Sequence, residues 1–170
     1  MAGKIEINFE AVEAMLYFWN SLKDKEKVPE KFIYDIAEMP GFKDAYDEEF
    51  GGESVRRALS AIKNREVFSS RTKQEARFWN NNLWMMEDLS YTESMVQPIK
   101  KLNLDGLEDI GIDAEVVFTP LHFDDYVVKE NKLIINFFKI KQEHGAAYIN
   151  EDELKTFIRQ KLTEILASVN

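Results

Sequence analysis

The sequence predicts an α+β fold: an N-terminal multi-helix layer, a small antiparallel β-sheet with a hairpin, and a C-terminal amphipathic helix. Three observations carry that prediction. Apolar residues recur at helical spacing from Phe9 as far as Leu102. Two runs rich in β-branched and aromatic residues follow, Glu115-Val-Val-Phe-Thr-Pro-Leu and Tyr126-Val-Val, with Leu133-Ile-Ile-Asn-Phe-Phe just beyond, and Lys129-Glu130-Asn131-Lys132 supplies a polar turn in which Asn131 can take positive φ. After them a single apolar stripe runs to the end of the chain.

Taken in order, Phe9, Val12, Met15, Leu16, Trp19 and Leu22 make a buried helix with Asn8 as N-cap. Pro29 suits a first helical turn, and Phe32, Ile33, Ile36 and Met39 form the next stripe, stopped by Pro40-Gly41. Phe42, Tyr46 and Phe50 mark a short third helix closed by Gly51-Gly52, and Val55, Leu59, Ile62 and Val67 line a fourth. From Ser70, the residues Ala76, Phe78, Trp79, Leu83, Trp84, Met86 and Leu89 form a long helix anchored by two tryptophans, with the intervening asparagines on its exposed side. Tyr91–Leu102 adds another helix, with Pro98 at a kink or near a start. Leu104–Asp113 is a loop or one helical turn at the border of the β part. The last helix closes the core with Leu154, Phe157, Ile158, Leu162, Ile165 and Val169. All of this fits one domain over 1–170, helical over about 1–110, with the hairpin and last helix over about 111–170.

Composition narrows the function classes. The 22 basic and 31 acidic residues give a net charge of -9, which disfavours nucleic acid and anionic membrane surfaces, since both need a cationic face. A basic protein partner suits that charge better. The absence of cysteine removes disulfides, thiolate nucleophiles and Cys-ligated zinc. The first residues, Met1-Ala-Gly-Lys-Ile-Glu-Ile-Asn, lack a signal-peptide core, and no apolar run approaches the ~20 residues of a membrane span. A cytoplasmic protein is expected.

Three groups of residues could carry chemistry. In His122-Phe123-Asp124-Asp125 an extended backbone would put His122 and Asp124 on one face, as an acid/base pair or a divalent metal requires; a polar loop at a strand end is the plainer reading. Glu143-His144-Gly145 reads as a surface turn. Asp44, Asp47, Glu48 and Glu49 spread over more than one face of a short helix, which suits contact with a basic partner better than a metal cage. No Gly-x-Ser-x-Gly, Gly-x-x-x-x-Gly-Lys or Gly-x-Gly-x-x-Gly pattern is present.

The order of helices, the break Pro40-Gly41-Phe42, the strands Glu115-Val-Val-Phe and Lys132-Leu-Ile-Ile-Asn-Phe, and Ile149-Asn-Glu-Asp-Glu-Leu-Lys leading into a helix resembles bacterial zinc-dependent peptidases of the gluzincin type. The resemblance lies in element order, without the His-Glu-x-x-His motif. It puts Arg159 and Thr163 at the two metal-ligand positions and Gln160 at the base position, and none of these can serve zinc or take a proton from water. What it implies is a degenerate or truncated relative without peptidase activity.

The function expected is therefore a non-catalytic, acidic protein-binding or regulatory domain with no cofactor and no metal. Competing readings are a hydrolase using His122, Asp124 and Asp125, a catalytically inactive peptidase-like protein, and a structural subunit of a homo-oligomer.

Overall fold

Strand pairing begins with a segment of only four residues. The computed structural model describes residues 3–168, and in it β1 (Ile5–Asn8) lies parallel to β2 (Ala114–Thr119), with Ile7 opposite Val116. Parallel strands need a long connection. Here the connection is the whole helical layer: α1 (Glu10–Lys23), α2 (Glu30–Ala37), α3 (Pro40–Lys43), α4 (Gly52–Asn64), α5 (Lys73–Glu87) and α6 (Leu89–Lys100). One turn of 3-10 helix, Leu107–Ile110, then leads back to the sheet between Gly106 and Gly111, both at positive φ.

The hairpin forms as expected from β3 (Tyr126–Lys129) and β4 (Lys132–Asn136), which pair antiparallel. Its turn uses Glu130 at φ 57° rather than Asn131, whose side-chain amide instead donates to the Asp113 carbonyl. β4 also pairs with β2, in parallel, so the first sheet is mixed, four-stranded and ordered β1-β2-β4-β3. The division of the chain near residue 110 is crossed by this sheet, because β1 belongs to it. β5 (Ile140–Glu143), β6 (Ala146–Ile149) and β7 (Asp152–Glu153) form a second, antiparallel sheet. His144 and Gly145, both at positive φ, make its two-residue turn.

β2 and β4 are buried almost continuously, as strands covered on both faces must be. α1 and α3 lie against β2. α3 approaches so closely that a Cβ on Gly41 would sit 3.3 Å from Thr119 Oγ1 and 3.1 Å from Ala11 Cβ, and the Thr119 hydroxyl donates to the Gly41 carbonyl at 2.6 Å. Pro40 thus opens a short helix rather than only ending one. Tyr46 and Phe50 fall after it, in a turn and an isolated bridge between Asp47 and Phe50, not in the longer helix expected.

The long helix expected from Ser70 and the further helix expected over Tyr91–Leu102 are both present, as α5 and α6, with Leu89 opening the second rather than ending the first. Thr72 caps α5 and Asp88 caps α6, each accepting from a backbone amide three residues on. Within α5 the expectation holds for buried Phe78 and exposed Asn80 and fails at two positions: Asn82 is buried, accepting from Trp19 Nε1 at 2.8 Å and donating to the Phe78 carbonyl, while Trp84 is 69% exposed. A buried indole N–H must find an acceptor, and Asn82 supplies it. Pro98 lies inside α6, near its end.

α7 (Leu154–Ser168) packs on β4, β6 and β7 and buries Leu154, Phe157, Ile158, Leu162 and Ile165; Val169 lies outside the described residues. Leu162 is fully buried within this stripe. Leu162→Ala should destabilise the fold by about 2–5 kcal/mol, measured as a lowered urea midpoint at unchanged slope. An unchanged midpoint would make α7 peripheral to folding.

Candidate functional site

His122 stands in the loop between β2 and β3, next to the end of a buried strand, so its ring enters the core rather than solvent. The ring stacks on Phe50 at 4.3 Å and meets Phe123 edge-on. Its Nε2 lies 2.8 Å from Asp47 Oδ2, and a carboxylate acceptor there assigns the proton to Nε2. Nδ1 is then a lone pair, buried and without a hydrogen-bond partner. Burial lowers the histidine's affinity for a proton; the Asp47 carboxylate opposes this in part, and Arg77 adds to the lowering.

The structure does not bring His122, Asp124 and Asp125 together as a catalytic group. The Asp124 carboxylate accepts from Arg77 Nη1 at 3.1 Å, and that guanidinium also holds the His122 carbonyl at 2.9 Å. The Asp125 carboxylate accepts from Asn150 Nδ2 at 2.7 Å. Asn136 holds the carbonyls of Phe123 and Asp124 with its side chain and that of Asp125 with its backbone amide. The residue pattern that suggests an acid/base cluster is therefore a clamped loop. In this arrangement Nε2 is engaged by Asp47 and Nδ1 is buried, so neither ring nitrogen faces solvent. The adjoining cleft, about 410 Å³, mixes Lys73 and Arg77 with Asp47 and Asp124 and favours neither sign of charge. Among the described residues, no three His, Asp or Glu side chains gather where they could hold a metal ion.

The acidic group is smaller than its sequence suggests. Asp44 is paired with Lys132 at 2.6 Å and Lys129 at 3.6 Å, and Asp47 accepts from His122 and from the Glu49 amide. Glu48 and Glu49 remain as exposed carboxylates. On α7, Arg159 donates to the Gly106 carbonyl and the Thr163 hydroxyl to the Arg159 carbonyl, while Gln160 is exposed.

A feature outside these groups lies on the helical layer. The ends of α1 and α4 and one face of α5 enclose a groove of about 550 Å³ with an apolar floor of Leu22, Ile62, Trp79, Leu83 and Met86. A second depression of about 490 Å³ continues it past Val28 and Pro29, sharing Leu22, Glu26 and Lys63. Trp79 is fixed by stacking on Phe68 at 5.1 Å. The signal available in the sequence was the spacing of Trp79, Leu83 and Met86, which puts them on one stripe of α5 beside, not within, the buried face of Phe78 and Asn82. Trp84 points roughly 140° away from Trp79, since each residue turns the helix by about 100°.

No family model, curated protein or solved structure matches the chain.

His122 makes stability depend on pH. Its proton affinity is lowered in the folded state, so below the ordinary value of 6.5 the unfolded chain takes up a proton that the folded one refuses. Stability should be fully present above pH 6.5, fall as pH drops through the lowered folded value, and lose nothing more from this group below it. Urea midpoints compared between about pH 7.5 and about pH 5 should show this slope in the wild type and a shallower one in His122→Gln. Parallel slopes would remove His122 as its source.

Proposed function

We propose that this chain is a non-catalytic protein-binding domain of a cytoplasmic protein, and that its binding surface is the groove between α1, α4 and α5. The observation that carries this reading is an elongated apolar floor bordered by exposed charged side chains, the arrangement of an interface with an apolar centre and polar rim. Two further observations support it. The sealed ring of His122 speaks against hydrolysis, and the pairing of Asp44 and Asp47 within the fold shifts the binding surface away from the acidic turn. No described helix is long and apolar enough to cross a membrane.

Met86 and Trp84 separate this surface from the other exposed aromatic face of α5. A protein retained by the wild type on an affinity column should be lost by Met86→Glu and kept by Trp84→Ser, with the melting temperatures of the two variants close to the wild type. Retention indifferent to Met86→Glu would sink the groove as the binding surface. Turnover of an ester or peptide substrate that His122→Gln abolishes would instead establish the hydrolase reading.

A further inference from the structure

Resting on the protein-binding reading above, we propose that the groove docks an acidic amphipathic helix of a partner protein, its apolar side chains over Trp79, Leu83 and Met86 and its carboxylates against Lys25, Lys27 and Arg65. The floor sets the form of the occupant. Trp79, Leu83 and Met86 follow one another at i, i+4 and i+7 along roughly 10 Å of α5, which matches two turns of a partner helix presenting apolar residues at the same spacing.

The rim sets its charge. Around the two joined depressions stand four cations, Lys25, Lys27, Lys63 and Arg65, against two carboxylates, Glu26 and Glu66. In a chain of net charge -9 this is a local reversal of sign. Lys63 shares its charge with Glu30 at 3.0 Å, whereas Lys25, Lys27 and Arg65 have no ion-pair partner among the described residues.

Backbone geometry sets two of these cations at equivalent positions beside the groove. α1 and α4 end in the same motif: the Glu26 amide bonds the Ser21 carbonyl and Lys25 that of Leu22, while Glu66 bonds Ala61 and Arg65 bonds Ile62. The residue at the turn of this motif is left-handed and is usually glycine. Here it is Lys25 at φ 60° and Arg65 at φ 57°. Helix polarity favours a cation at a helix C-terminus, where Lys23 and Lys63 already stand, but does not require a side chain in place of glycine at the left-handed position. Both left-handed positions carry a cation, and both cations border the same groove.

The test is selection with the full chain from a phage-displayed library of helical peptides, with apolar residues fixed at i, i+4 and i+7 and all other positions free. Enriched peptides should be net acidic and should bind Lys25→Glu/Arg65→Glu at least about tenfold more weakly than the wild type, as expected when two cations at an interface are reversed. Lys25→Gly/Arg65→Gly should weaken the same peptides while raising the melting temperature, which separates lost contacts from lost folding. Enrichment of basic or neutral peptides, bound equally by the charge-reversed variant, would overturn the acidic helix and leave the protein-binding groove standing. No enrichment at all would overturn both. Dimerisation of the chain abolished by the same charge reversal would make the occupant a second copy and likewise overturn the proposal.

Discussion

The parallel pairing of β1 with β2 is the constraint on which the rest of the molecule depends. It joins the beginning of the chain to a strand that follows the entire helical layer, so every helix from α1 to α6 must fit inside one crossover. Loop closure over that length is entropically costly, and a four-residue edge strand cannot offset the cost alone. Burial does so: β2 packs under α1 and α3, close enough that a Cβ at Gly41 would press on Ala11 and Thr119, and β4 continues the buried sheet on the other edge of β2.

Polar groups in the core specify position more than they add stability. Asn82 satisfies the Trp19 indole, Glu75 accepts from Ser54, Arg57 and the Arg71 amide, and Asn136 gathers three carbonyls of the loop after β2. Burial by itself would raise the Glu75 pKa, but these hydrogen bonds and the Arg57 charge outweigh it and hold the carboxyl below its ordinary value. His122 belongs to this class of residue. It ties the loop to the Asp47 turn by one nitrogen and leaves the other without a partner, a local cost in a ring that stacks on Phe50.

The groove follows from how two helices stop. α1 and α4 both reverse direction at a left-handed residue near α5, and their last turns stand as walls above a stripe of α5 that packs against the core and stays partly open to solvent. Leu22, Trp79, Leu83 and Met86 stay half-buried there because the chain turns away before covering them. The floor of the groove is thus held by the core, while its rim, with Lys25, Lys27 and Arg65 exposed, is free to vary in charge. That separation suits a binding surface.

The helices with strong apolar periodicity, the β3–β4 hairpin and α7 were all legible in the sequence, because each is defined by neighbours in the chain: spacing along a helix, alternation along a strand, turn residues between them. β1 was not legible, since four residues acquire strand character only from a partner far along the chain. α5 and α6 were legible as two helices, but Leu89, read as the end of the first, opens the second, because the capping Asp88 sets the boundary. The burial of Asn82 and the exposure of Trp84 invert residue-type preference, because what Trp19 needs is decided across the fold. The same holds for the site. Sequence brought His122, Asp124 and Asp125 into one short segment; the tertiary structure gave each a different partner and set Asp47 against the imidazole. Adjacency in the chain fixes which groups are near, but only packing fixes where their side chains are held, and chemistry depends on the second.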